Sequence, residues 1–191
     1  MVCVEDALAH YQALKDNKTQ DKHMDKFHDI FSSLLPKKYS LLKNVAIPET
    51  PYRSKKWDYS IWKGQELVGV LELKSLHKSA NKNINNRQEE AVGSAAMLKR
   101  NYPKVKTSYF LIGDNLDAST QRKWELFLRD SLEKGWYDSV CVLMLSGGNK
   151  KNKTGQMSLF DSLGSRTSKR KKNSFKSFKD MSIKDLFSIY E

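Results

Sequence analysis

The chain has 191 residues, two cysteines and a formal net charge of +12. A single domain of that length buries roughly 70% of the surface its unfolded chain exposes, so it has no need of disulfides. With only Cys3 and Cys141, neither a disulfide framework nor a structural zinc site is expected, and a reducing cytoplasmic compartment suits the composition. No apolar run approaches the roughly 20 residues of a membrane span. The opening residues Met1 to Asp6 lack a basic start followed by an apolar stretch, so neither a membrane partner nor a signal peptide is expected.

Excess positive charge favours a polyanionic partner, most often nucleic acid. Its placement is uneven. From Lys150 to Lys179 ten basic residues stand against the single acid Asp161, so this segment carries +9 of the +12. A solvated, solubilising tail is the plainer interpretation of such a run.

In chain order, residues 3–16 and 21–35 are expected to be helices. Ala7, Tyr11 and Leu14 recur at helical spacing, as do Phe27, Ile30, Phe31 and Leu34. Pro36 closes the second, and Pro48 and Pro51 keep residues 46–54 extended or turned. A hairpin follows: Trp57 to Trp62, a turn at Lys63 to Glu66, and Leu67 to Lys74. The near-continuous apolar run Leu67 to Leu71 predicts a central strand covered on both faces.

Residues 76–85 are polar and predict a loop. A helix is expected from about Asn86 to Arg100, a strand from Thr107 to Ile112, a helix over roughly 119–134 capped by Asp117-Ala118-Ser119 and stopped at Gly135, and a strand from Ser139 to Leu145. This order predicts an α/β fold with a mixed central sheet flanked by helices. Residues 1–145 form the expected domain. Residues 146–179 form a basic mobile loop or linker, and 180–191 a short helix that docks back.

Glu72 and Lys74 are two apart on a predicted strand, so their side chains share a face. Asp58 starts the neighbouring strand, and pairing in register brings it toward Glu72. Two carboxylates form a hard oxygen site suited to Mg²⁺. An ion there polarises a scissile phosphate and acidifies a bound water, while Lys74 orients that water or meets the charge of the transition state. The triplet by itself is not specific, since Asp16-Asn17-Lys18 has the same form. Context raises the first match: charges ending a buried strand need a reason to be there. A plain ion pair is the competing explanation.

The next helix opens with Asn85-Asn86-Arg87-Gln88-Glu89-Glu90-Ala91-Val92-Gly93-Ser94-Ala95. Asn86, Glu90 and Gly93 fall on one face. An ordinary amphipathic helix with a polar first turn accounts for the same residues.

Taken together, Tyr52 to Asp58, Glu72-Leu73-Lys74-Ser75 and the Asn85 to Ala95 block resemble the core of the XhoI-type restriction endonucleases, a PD-(D/E)XK family. Weaker similarity runs through Tyr109-Phe110-Leu111, Arg122 to Tyr137 and Cys141-Val142-Leu143. The resemblance implies a PD-(D/E)XK core and Mg²⁺-dependent double-strand cleavage at a palindromic DNA site, CTCGAG in the family's usual case. It implies a prokaryotic or phage-encoded enzyme acting in the cytoplasm. Asp58, Glu72 and Lys74 would form the active site, with Asn86, Arg87 and Glu90 as support. A palindrome implies a two-fold homodimer. Lys78, Asn81, Lys82, Asn83 and Asn85 are candidates by position for DNA contact, to bases or to phosphates.

Two other readings stay open: a repair, transposition or phage nuclease on the same core without palindrome specificity, and a basic DNA-binding protein without catalysis. Gln156-Met157-Ser158-Leu159-Phe160 resembles the short peptide by which bacterial proteins bind the replication sliding clamp, or is a small apolar anchor. The histidines His10, His23, His28 and His77 have no metal-ligand spacing, and Trp57, Trp62, Trp124 and Trp136 are expected in the core.

Overall fold

A five-stranded mixed sheet organises the chain. The structure is a computed structural model that describes residues 4–14, 25–50, 53–76, 84–114, 116–145 and 182–191. Two helices come first, α1 (Val4–Leu14) and α2 (Asp25–Leu34), then strands β1 (Ser40–Lys43), β2 (Ala46–Thr50), β3 (Arg53–Lys56), β4 (Tyr59–Lys63) and β5 (Glu66–Leu76). Helix α3 (Ile84–Asn101), strand β6 (Lys106–Asp114), helix α4 (Ala118–Glu133) and strand β7 (Ser139–Leu145) follow, and the short helix α5 (Ile183–Phe187) lies near the end.

The main sheet runs β1-β4-β5-β6-β7. β4 is antiparallel to both β1 and β5, whereas β5, β6 and β7 are parallel. The parallel connections are made by α3 and α4, as parallel neighbours require a crossover. The long apolar strand β5 lies in the middle, which accounts for Val70 and Leu71 being fully buried on opposite faces.

Each face of the sheet has its own core. On one side Tyr59, Ile61, Leu71 and Phe110 pack under Tyr11 of α1, under Phe27, Ile30 and Phe31 of α2, and under Leu186 and Phe187 of α5. On the other, Tyr109, Leu111, Val140 and Val142 pack under Ala91 and Ala95 of α3 and Trp124 and Leu128 of α4. The small buried residues of α3 let that helix lie close to the strands. Tyr137 on the same side donates from its hydroxyl to the Ala91 carbonyl at 3.1 Å.

Local signals set the ends of these elements. Asp117 caps α4 by accepting from the Thr120 N–H at 2.8 Å. Gly135 follows the helix with φ of 69°, a left-handed conformation that glycine adopts without penalty. Five residues are too few for an independent helix, and α5 is held from outside. Ser182 and Asp185 form a capping box, and the Leu186 carbonyl accepts from Ser139 Oγ at 2.9 Å. Gly69 on β5 leaves room for the final aromatic residue, because a Cβ there would collide with the Tyr190 ring and hydroxyl.

Three features differ from expectation. β1 pairs at the edge of the main sheet although it has only four residues. The stretch expected to be extended or turned belongs to β2 and β3, which together run from Ala46 to Lys56 and form a separate antiparallel pair. β5 continues to Leu76, beyond the predicted end, because pairing with β6 runs on through Leu76 and Gly113. The first two stretches lack long apolar alternation, so a partner strand decides their pairing. The expected basic linker and the Gln156–Phe160 peptide lie outside the described residues.

Candidate active site

The centre of interest is where β4 begins and β5 emerges toward its C-terminal end. Tyr59 pairs with Leu71, and continuing that register by one residue sets Asp58 across from Glu72. A hydrogen bond holds it there: the Leu73 N–H donates to Asp58 Oδ2 at 2.6 Å. This leaves Oδ1 free of that bond. On β5 the alternation puts Glu72 and Lys74 on the α3 side, with Tyr109 and Leu111 as their partners on β6.

Glu72 is buried, at 3% exposure, and a carboxylate in that position must be paired. Two lysines meet it. Lys74 Nζ is 2.7 Å from Oε1, and Lys55 Nζ, reaching in from β3, is 3.0 Å from Oε2. Lys55 also lies over the Trp57 ring, 4.5 Å from its centroid. The structure therefore brings Asp58, Glu72 and Lys74 together and adds Lys55, whose role the sequence reading missed. Its signal was weak, being one basic residue within Arg53-Ser54-Lys55-Lys56. Only the pairing of Lys55 with buried Ile47 shows which of the four turns inward.

A second buried acid lies nearby. Glu49 on β2 is fully buried, with Oε2 3.3 Å from Arg53 Nε. Burial pushes its pKa up, and so does Glu72, while Arg53 and Lys55 oppose the rise. Asn101 at the end of α3 donates through Nδ2 to the Glu49 carbonyl, which ties β2 to that helix.

The protonation of the cluster follows from these contacts. Burial, reinforced by the Glu72 charge, pushes the Asp58 pKa up from 3.8 to about 6, against the pull of the Leu73 N–H and of Lys74 and Lys55. Burial of the Lys74 ammonium works toward a lower pKa, but the charge and hydrogen bond of Glu72, with Asp58 and Glu90, outweigh it and the net shift is upward. Lys74 is thus a cation at neutral pH.

The raised Asp58 value has a consequence for stability. The folded protein favours the neutral carboxyl relative to the unfolded chain. This contribution is complete below pH 3.8 and is lost as pH rises through about 6, a change of up to about 3 kcal/mol. Asp58→Asn keeps a neutral acceptor for Leu73. In EDTA it is expected to melt above the wild type at pH 7.5 and close to it at pH 4. A difference that does not change between those two pH values would contradict the assignment.

Helix α3 overlooks the cluster. Glu90 is exposed but close enough to act on Lys74, and Arg87, half-buried, acts on Tyr109. Asn85 and Asn86 are exposed in the first turn. Lys78, Asn81, Lys82 and Asn83 lie outside the described residues, as does His77.

Among the described residues no group of three or more His, Cys, Asp or Glu side chains is arranged to hold a metal ion. A two-carboxylate site still fits Mg²⁺, which binds through one or two carboxylates and keeps several waters. Asp58 and Glu72 raise each other's energy when both are ionised, which a divalent cation would relieve. No described helix is long and apolar enough to cross a membrane.

Comparison with known proteins gives one informative similarity. The chain is 29% identical to the type II restriction enzyme BstVI of Geobacillus stearothermophilus, over 66% of this chain and 75% of that protein. No family model matches the chain, and no solved structure matches it.

Proposed function

We propose that this protein is a type II restriction endonuclease of the PD-(D/E)XK kind, which cuts both strands of DNA at a short palindromic, CTCGAG-like site. The observation that carries the reading is Asp58 set across from Glu72, with the Lys74 ammonium on the latter. The similarity to BstVI supports it, as does the net charge of +12.

Asp58 and Glu72 would hold Mg²⁺, which when bound polarises the scissile phosphate and acidifies a water. The protein's own groups have separable tasks. The Leu73 N–H fixes the Asp58 carboxylate so that Oδ1 is presented. Lys74, kept protonated by its acidic neighbours, supplies positive charge where the phosphoryl oxygens gain negative charge, and can orient the attacking water through its N–H donors. Glu90 adds a smaller negative influence on Lys74 and so supports its protonated form. Arg87 and Asn86 lie on the same helix as support, and Asn85 with Lys78, Asn81, Lys82 and Asn83 are the nearest groups in sequence for DNA contact. A homodimer would present two such sites to the two strands of a palindrome.

Digestion of phage-length DNA tests the proposal, with and without Mg²⁺, for wild type beside Glu72→Ala and Lys74→Ala. Discrete bands that need Mg²⁺ and vanish in both variants are expected, and mapping their ends gives the site. A metal-dependent smear would keep a nuclease but remove palindrome specificity. Salt-sensitive binding without cutting would leave a DNA-binding protein alone.

A further inference from the structure

Glu72 is a metal ligand in the proposed function, yet in the structure both its oxygens face ammonium groups, Lys74 at 2.7 Å and Lys55 at 3.0 Å. Each oxygen keeps a second lone pair, but a divalent cation arriving at that carboxylate meets two positive charges, and moving one of them away eases its entry. Lys74 is carried on the same strand as Glu72, two residues away, and shares its face. Lys55 comes from a different sheet and occupies the other oxygen.

Lys55 also has somewhere else to go. On the two-stranded sheet, Ile47 pairs with Lys55, and Glu49 lies two residues further along β2. Ile47 and Glu49 are both buried while Ala46 and Pro48 between and before them are exposed, so Glu49 and Lys55 share the inward face. Neither Glu49 side-chain oxygen accepts a hydrogen bond among the described residues. Its ion-pair partner Arg53 stands at 3.3 Å with a side chain that is 55% exposed. A fully buried carboxylate so thinly paired is an available second berth for an ammonium.

We propose that Lys55 is a positioning residue that serves as the resident counter-cation of the site. It holds Glu72 through Oε2 before metal arrives, and passes to Glu49 when a divalent cation takes Glu72. This rests on the function proposed above. In chemical terms the buried carboxylate is never left without a positive partner, and metal binding becomes an exchange of one cation for another.

The test is Mn²⁺ titration by calorimetry on the full chain without DNA. Lys55→Met keeps an unbranched side chain one atom shorter and removes the charge. It is expected to bind Mn²⁺ about tenfold more tightly than wild type, the scale of one competing unit charge near a carboxylate. In the wild type, Mn²⁺ should alter tryptophan emission, because Lys55 leaves the Trp57 ring; in Lys55→Met that change should shrink. Lys55→Gln takes the place of Lys55→Met should the latter fail to fold, with the same expected gain.

Glu49→Gln adds a second arm. It should weaken Mn²⁺ binding in the wild-type background and have little effect in the Lys55→Met background, since no lysine then needs the second berth. Equal effects in both backgrounds would overturn the exchange. So would Mn²⁺ affinity in Lys55→Met that equals or falls below the wild type, and if that wild type still cuts DNA with Mg²⁺, the proposed function survives. Absence of Mn²⁺ binding by either form would overturn the inference together with the metal-dependent reading beneath it.

Discussion

Glu72→Gln is expected to reduce DNA cleavage by about 10³-fold or more, the scale for removing one preorganised electrostatic group from a catalytic site. The amide conserves shape and keeps a carbonyl oxygen, so the loss isolates charge. Lys55 and Lys74, which meet the two Glu72 oxygens at 3.0 and 2.7 Å, then face a neutral group. Breaking a buried ion pair from one side is costly. Asp58, relieved of the Glu72 charge that helps raise its pKa, ionises more readily and compensates in part. A net loss of about 2 kcal/mol is expected, enough to lower the melting temperature without unfolding the protein. DNA binding measured in EDTA, together with its dependence on salt, should be retained, because the basic residues that give the chain its net charge of +12 are untouched. Single-turnover cleavage within tenfold of wild type would remove Glu72 from the chemistry.

Phe31→Ala should produce the opposite profile. Phe31 is fully buried, with its ring 5.3 Å from Phe110, 5.4 Å from Phe187, 5.7 Å from Tyr59 and 6.0 Å from Phe27 between centroids. It joins α2, the sheet and the C-terminal helix in one cluster. Truncation removes the transfer energy and leaves a cavity, together about 3–5 kcal/mol, which for a chain of this size lowers the melting temperature by on the order of 10 °C. Phe31 lies on the face of the sheet opposite Glu72 and Lys74. Cleavage per folded molecule, measured well below the transition, should therefore stay near wild type. Amides of residues 183–190 should exchange faster, since Phe187 loses a partner. A loss of stability under 1 kcal/mol by urea denaturation would show that the cluster repacks around the gap.

The candidate site was partly legible. The Glu72-x-Lys74 spacing on an apolar strand was enough to place two charges on one face, because strand alternation is a local property. Asp58 needed one additional inference, the register of a hairpin with a short turn at Gly64, and the observed pairing of Tyr59 with Leu71 sets it opposite Glu72. Lys55 and Glu49 carried no comparable signal. Their positions depend on β2 pairing with β3 and on that pair lying against Val70, Leu98 and Val105, contacts between segments far apart in the chain.

By itself, the amino-acid order determined the helices with strong apolar periodicity, the central hairpin, the cap at Asp117, the stop at Gly135 and the concentration of positive charge at 150–179. These depend on short-range sterics, capping and alternation, which act within a few residues. The tertiary structure alone decided the strand order β1-β4-β5-β6-β7, the second sheet, and the place where the expected C-terminal helix docks, beneath Phe31. It also decided the pairing of buried Glu72 with two lysines from different sheets. A buried charge is tolerated only where partners converge on it in space, and no stretch of sequence around Glu72 names the lysine that comes from β3.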